Sequence, residues 1–299
     1  MFAITLDCNG RDLVLDRPRI AGVLNVTPDS FSDGGRWVDP GRAVEHALRL
    51  IEEGADLIDV GGESTRPGAE PVAADEEIAR VVPVITALRE RSSVPISIDT
   101  SKPQVMRAAV EAGAGLINDV AALRAEGALD TAAALGVPVC LMHMLGEPRT
   151  MQAAPEYDDV VGEVHRFLAE RLFACQMAGI DKKRILVDPG FGFGKTLEHN
   201  LALLRELERF AELAPVYVGL SRKTMIGALT GRDDPAARAA GSAAAAMIAV
   251  QRGATLVRVH DVAVTRDALA VWAGVAAGDR PRASRSAAAR PPRTPWDED

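Results

Sequence analysis

The fold this sequence predicts is a (β/α)8 barrel, of TIM type, carrying an N-terminal β-hairpin. Three observations predict it. From residue 20 onward short apolar runs alternate with amphipathic stretches, glycines recur where helical stretches give way to strands, and the apolar runs end in polar residues suited to a binding site. Residues 2–6 and 13–15 read as two short strands about the turn dipeptide Asn9-Gly10, a hairpin expected to plug the barrel floor. Strands follow at 20–24, 57–60, 96–98, 116–117, 137–142, 185–187, 216–219 and 256–259, and helices at 41–53, 75–91, 102–112, 127–135, 158–178, 197–213 and 236–251. Gly54, Gly113, Gly136, Gly179 and Gly253 are expected to end helices. Ser101 is expected to cap the helix that Pro103 opens. Eight parallel strands with helical crossovers close into a barrel and bring every strand end to one face, whereas a doubly wound sheet gathers ligands at a single switch point.

The domain prediction follows. Residues 1–277 form one barrel domain, with 1–18 as its hairpin cap, and the Arg/Pro/Ala-rich stretch 278–299 is expected to be a disordered tail. A chain of 299 residues with 47% hydrophobic but only 4% aromatic residues suits a core of Val, Ile, Leu and Ala. The net charge of −8 argues against nucleic-acid and acidic-membrane surfaces, so an anionic substrate must be met by local cations. Cys8, Cys140 and Cys175 are too few and scattered for a disulfide framework or a zinc site. With no long apolar stretch and no signal-like order at the N-terminus, a cytoplasmic protein is expected.

The strand ends carry the chemistry. Asp99, Asn118 and Asp188 follow apolar residues on separate strands, and burying such groups is costly unless they face a partner rich in donors and acceptors, such as a heterocycle. Capping of the following helix is the alternative for Asp99. Lys223 (in SRK), Arg258 and His260 (in RVHD) bring cations from the last two strands, where barrels hold phosphate groups. Asn25, Ser64, Thr65 and Arg66 stand near the same rim, and together this set can grip a phosphate or pyrophosphate. Asn25 offers an amide oxygen to a Mg²⁺ ion that would otherwise be held through substrate phosphates and water. GFGFGK at 190–195 fits neither phosphate-loop spacing. Its glycines are expected to let backbone approach a planar ligand, with Phe191 or Phe193 as the stacking wall. The loops at 30–36 and 63–71 read as lids. No Ser-His-acid or Cys-His arrangement emerges. A simple reading is departure of pyrophosphate from a carbon attached to the heterocycle and capture of the cation by a weak nucleophile.

LNVTPDSFSDGG, GADLIDVGGESTRPG, SIDTSKP, LINDV, LMHMLGEPRTMQ, LVDPGFGFGK, SRKTMIG and RVHDV, in that order, resemble the motifs of the dihydropteroate synthase family from residue 20 to about 275. The resemblance implies a (β/α)8 barrel, usually a homodimer, that needs Mg²⁺ and condenses 6-hydroxymethyl-7,8-dihydropterin pyrophosphate with p-aminobenzoate to 7,8-dihydropteroate. It implies Asp99, Asn118, Asp188 and Lys223 around the pterin ring, with Met142 packing nearby. Asn25, Arg258 and His260, joined by Thr65 and Arg66, would grip the pyrophosphate, Asn25 also touching Mg²⁺. Asp99, Lys223, Arg258 and His260 make up the implied catalytic set. Thr65, Arg66, Pro67, Phe193 and Thr224 would line the p-aminobenzoate site, which sulfonamides would contest. Thr224 stands where the family often has serine. The rivals are a pterin-binding methyltransferase, which would not need the cation clamp, and a binding-only paralogue, in which damaged loop motifs would be expected.

Overall fold

The computed structural model describes residues 4–27, 39–64, 70–146, 151 and 155–277. The expected tail, most of the two expected lids, and Thr65, Arg66 and Pro67 lie outside the described residues.

Strands β1 (Ile4–Asp7) and β2 (Asp12–Leu15) pair antiparallel, Ile4 opposite Leu15. Then come β3 (Arg19–Asn25), β4 (Leu57–Gly61), β5 (Ile96–Asp99), β6 (Leu116–Asp119), β7 (Val139–Met142), β8 (Ile185–Asp188), β9 (Val216–Gly219) and β10 (Ala254–Val259). These eight close into a parallel barrel, β10 pairing with β3, as the strand pattern predicts. The helices between them are α1 (Pro40–Glu53), α2 (Ala74–Arg91), α3 (Pro103–Ala112), α4 (Ala128–Leu135), α5 (Val160–Met177), α6 (Leu197–Arg205), α7 (Thr224–Thr230) and α8 (Ala239–Gln251), and α9 (Val262–Ala276) follows β10.

Alternation along each strand builds two cores. Outward residues such as Ile58, Val60, Ile98, Ile117, Leu141, Val187 and Val257 pack beneath the helices. Inward residues Ala21, Leu57, Leu116, Cys140, Leu186, Tyr217 and Leu256 meet Leu6, Cys8 and Leu13 of the hairpin, which therefore seats in the barrel floor. Asn9 Nδ2 donates to the carbonyls of Val110 and Ala114 at 3.1 Å each, and Arg11 to those of Val94 and Arg89, tying the plug to the ends of α2 and α3 and to the segments that follow them. A Cβ on Gly115 would come within 2.1 Å of the Cys8 carbonyl oxygen, so this close approach requires glycine.

The structure differs from expectation in several places. Helices α7 and α9 were not legible. The first is a seven-residue element with Gly227 inside it, and the second is apolar around most of its circumference, so neither shows a one-sided stripe. The stretch 197–213 is broken after Arg205 and continues as a 3₁₀ turn, Leu207–Glu212, and α8 is likewise preceded by a 3₁₀ turn, Pro235–Arg238. Gly54, Gly113 and Gly136 cap helices as expected, but the caps at the other two sites are Ala178 and Arg252, one residue earlier. Lys102, rather than Ser101, is the N-cap residue of α3, because the Ser101 hydroxyl donates to Asp119 Oδ1 at 2.6 Å. No described helix is long and apolar enough to cross a membrane. The three cysteines are free and buried.

Candidate active site

Register assembles the site. Asn25 pairs with Gly61, Gly61 with Asp99, and Asp99 with Asn118, so these four residues form one row across β3, β4, β5 and β6 at the C-terminal rim. On the other side of the barrel Met142 pairs with Asp188. Gly61 keeps the row open: a side chain there would stand 3.5 Å from Asp99 Cβ and 3.8 Å from Asn25 Oδ1.

Arg258, inward-facing on β10, crosses the barrel mouth. Its Nη2 donates to Asp99 Oδ2 at 2.8 Å and its Nε to Asp59 Oδ2 at 2.5 Å. Asp59 is wholly buried and also accepts from Ser97 Oγ at 2.5 Å and Asn118 Nδ2 at 3.2 Å. Burial pushes the Asp99 carboxyl up to about 7, Arg258 opposing that rise and Asp59 adding to it. Asp99 therefore belongs to an ion cluster and does not act as a helix cap. Its Oδ1 is buried without a hydrogen-bond partner among the described residues, which is the condition expected of an acceptor reserved for a ligand donor.

Asp188 ends β8, and its Oδ1 accepts from Gly190 N at 2.7 Å. Burial raises it to about 6 despite the nearby Lys223 ammonium. Burial in turn lowers Lys223 to about 8, against the pull of Asp188. The Lys223 Nζ donates to the Phe191 carbonyl and stands 4.4 Å over the Phe193 ring. The turn presenting Lys223 is tightly held. Arg222 sits at φ 59°, its guanidinium forked onto Asp261 at 3.0 and 2.6 Å, its N–H bound by Ser242 Oγ, and its carbonyl by Arg238. Thr224, exposed, is the first residue of α7.

His260, expected on the last strand, lies one residue beyond β10. Its backbone N–H donates to Ser221 Oγ and its Nδ1 lies 3.0 Å from the same oxygen, which fixes the half-buried ring beside Lys223's turn. Met142 packs with Val120, Met144, Met151 and Phe193 as an apolar wall. Phe191 is wholly buried in the core, so of the two phenylalanines only Phe193 stands at the site.

Other strand-end residues have structural duties. Asp119 accepts from Ser101 and from the backbone of Ala121 and Leu123, shaping the turn after β6. His143, which burial lowers to about 2, places Nδ1 3.0 Å from Lys195 Nζ, and Lys195 is buried facing the His143 and Phe193 carbonyls. The glycines of 190–194 serve this packing: a Cβ on Gly190 would fall 1.9 Å from the His143 carbonyl oxygen, so here the close approach is of backbone to backbone. Beside the undescribed residues 65–69, Glu63 accepts from Val72 N at 2.8 Å and Lys102 Nζ at 2.7 Å, and Lys102 also bonds the buried Glu77. Asp59 lies within the strand-end motif GADLIDVGGESTRPG, but no role was assigned to it from the sequence. The only signal for it is its spacing of two from Gly61, which puts both on one strand face.

Among the described residues no three His, Cys, Asp or Glu converge as a metal cage. Ordered acceptors for the heterocycle, cations for an anion and an apolar wall share one mouth, an arrangement able to fix a flat polar ring and stabilise a departing anion.

Comparison with known proteins agrees with this geometry. A family model described as pterin binding enzyme matches residues 21–260. The dihydropteroate synthase of Escherichia coli (strain K12) is 52% identical over 267 residues, 89% of this chain and 94% of its own length. That of Xanthomonas albilineans, solved with 4-aminobenzoic acid, is 62% identical with a TM-score of 0.88, covering 92% of this chain and 99% of its own. Solved with 7,8-dihydropteroate it gives 60%, 0.84, 91% and 99% in the same order. The Yersinia pestis dihydropteroate synthase in a sulfonamide drug complex is 48% identical with a TM-score of 0.87, covering 91% of this chain and 99% of its own.

Proposed function

The chain belongs to the dihydropteroate synthase family, and from that premise we propose that it condenses 6-hydroxymethyl-7,8-dihydropterin pyrophosphate with p-aminobenzoate, giving 7,8-dihydropteroate and pyrophosphate. The observation that carries the reading is the joint placement of Asp99, Asn118, Asp188 and Lys223 with Arg258 at one barrel mouth, in a chain 52% identical to such an enzyme.

In this reading Asp99, Asn118, Asp188 and Lys223 hold the pterin ring, and Met142 closes its apolar side. Asn25, Arg258 and His260 grip the pyrophosphate together with Thr65 and Arg66. Thr65, Arg66, Pro67, Phe193 and Thr224 line the p-aminobenzoate site. Arg258 is paired with two carboxylates, and a pyrophosphate would compete with them for its donors. The C–O bond to pyrophosphate breaks first, the electron pair leaving with the anion. The aniline nitrogen then forms the new C–N bond and sheds its proton late, so no strong general base is required.

The donor set fits Mg²⁺ only as an ion carried largely by substrate phosphates and water, with Asn25 the protein oxygen that would touch it. When bound, the ion would neutralise charge on the departing pyrophosphate. A homodimer and a cytoplasmic location complete the proposal, to be tested by light scattering and by cell fractionation.

The deciding experiment is pyrophosphate release from the pterin pyrophosphate with Mg²⁺, with and without p-aminobenzoate. Release that needs p-aminobenzoate supports the synthase, and tight pterin binding without release overturns it. Sulfonamides are expected to inhibit competitively against p-aminobenzoate. A pattern that p-aminobenzoate does not relieve would refute that part.

A further inference from the structure

Asp59 joins two parts of the mouth that the reaction uses separately. Its Oδ1 accepts from Ser97 Oγ at 2.5 Å, and its Oδ2 accepts from Asn118 Nδ2 at 3.2 Å and Arg258 Nε at 2.5 Å. The carboxylate is wholly buried, two residue pairs inward of the rim row, and it accepts in each of these three hydrogen bonds. An amide has one donor end and one acceptor end, and an acceptor-only oxygen tolerates just the first. With Nδ2 turned to Asp59, the Asn118 Oδ1 is the end left for a ligand N–H. The same oxygen fixes the guanidinium of Arg258 through Nε and leaves the Nη groups toward Asp99 and the mouth.

We propose that Asp59 is a positioning residue, which by accepting from both Asn118 and Arg258 sets the Asn118 amide with its oxygen toward the pterin and holds the Arg258 fork at the height where the pyrophosphate leaves. The inference rests on the pterin reading above and deepens it. Asp59 touches neither substrate. Asp59→Asn keeps the shape but loses the charge: with its oxygen toward Asn118 and Arg258 its NH₂ meets Ser97 Oγ, which must then accept, and the neutral oxygen holds the two donors more weakly than the carboxylate does.

The test uses the full-length protein and 6-hydroxymethylpterin as a probe in titration calorimetry, with Asp59→Asn, Asn118→Ala and the double variant, alongside steady-state kinetics. Asp59→Asn is expected to weaken probe binding roughly tenfold to a hundredfold while leaving the KM for p-aminobenzoate unchanged. In the Asn118→Ala background its further effect should shrink to about threefold or less. Should Asp59→Asn fail to fold, Ser97→Ala keeps the charge and removes one anchor. It is expected to weaken the probe about threefold, again less so without Asn118. Binding by Asp59→Asn within threefold of the wild type, or a loss that multiplies in full with that of Asn118→Ala, overturns the role, as does an uncoupled Ser97→Ala if that variant must decide. A wild-type protein that fails to bind the probe overturns the pterin reading itself, an outcome distinct from the others.

Discussion

The floor and the mouth of the barrel are built by the same strands and differ by one step of the strand alternation. Moving two residues along takes Leu57 to Asp59, Leu116 to Asn118, Cys140 to Met142, Leu186 to Asp188 and Leu256 to Arg258, an advance of about 6–7 Å. Below, the layer is apolar and closed by Leu6, Cys8 and Leu13. Above, buried carboxylates stand against a guanidinium and an ammonium. The lower layer gains free energy from burial and pairs no charges, although the buried Tyr217 hydroxyl has no hydrogen-bond partner among the described residues. The upper one bears the desolvation of its charges, offset only in part by their pairing. Stability and activity are therefore expected to separate along each strand.

The sharpest break would come at Arg258. Arg258→Ala removes the cation that faces Asp59 and Asp99, and turnover is expected to fall about 10²–10³-fold, the scale seen when a preorganised charge stabiliser is lost. Steady-state pyrophosphate release measures it. Activity within fivefold of the wild type would show that the mouth does not work through this charge, and would favour a pterin barrel that carries out other chemistry. At the floor the expectation reverses. Leu6→Ala should cost about 2–5 kcal/mol in denaturant unfolding, and kcat/KM per folded molecule should stay within about twofold. A floor variant that kept its stability but lost turnover would sink the separation.

pH probes the mouth alone. Asp99 and Asp188 are raised to about 7 and about 6, so going down in pH the free protein gains protons on the carboxylates proposed to hold the ring. Lys223, lowered to about 8, loses its charge as pH rises. The profile of kcat/KM for the pterin substrate is expected to be bell-shaped, with an acid limb near 6–7 from the two carboxylates and an alkaline limb near 8. Lys223→Met should abolish the alkaline limb in whatever activity remains. A flat profile from pH 5.5 to pH 9 would contradict the assignment of these groups.

How far the sequence revealed this contrast depended on periodicity. The inward leucines and the strand-end Asp99, Asn118 and Asp188 are legible because alternation and an abrupt polar ending are local signals. Asp59 was not, since its partners Ser97, Asn118 and Arg258 come from three other strands and only the register brings them together. Ser101 misled for the same reason, being claimed by a group distant in sequence, Asp119. The largely apolar α9 carried no one-sided stripe to find. What was recognised of the p-aminobenzoate side came from motif resemblance, and Thr65, Arg66 and Pro67 are outside the described residues.

The smallest effect is expected where the mouth meets solvent. Thr224 opens α7, is exposed, and follows the residue that carries the ammonium over Phe193. Thr224→Ser removes one methyl group and keeps the hydroxyl. A partly solvated methyl contributes less than the full burial value of about 0.8 kcal/mol, so the KM for p-aminobenzoate and the inhibition constants of sulfonamides should move by no more than about threefold, with the pterin KM unchanged. Parallel titrations of both ligands against the two proteins decide it. A change above tenfold in either constant would mean that Thr224 is packed against the second substrate more tightly than its exposure implies. The contrast between a closed floor and an open mouth would then hold only before p-aminobenzoate binds.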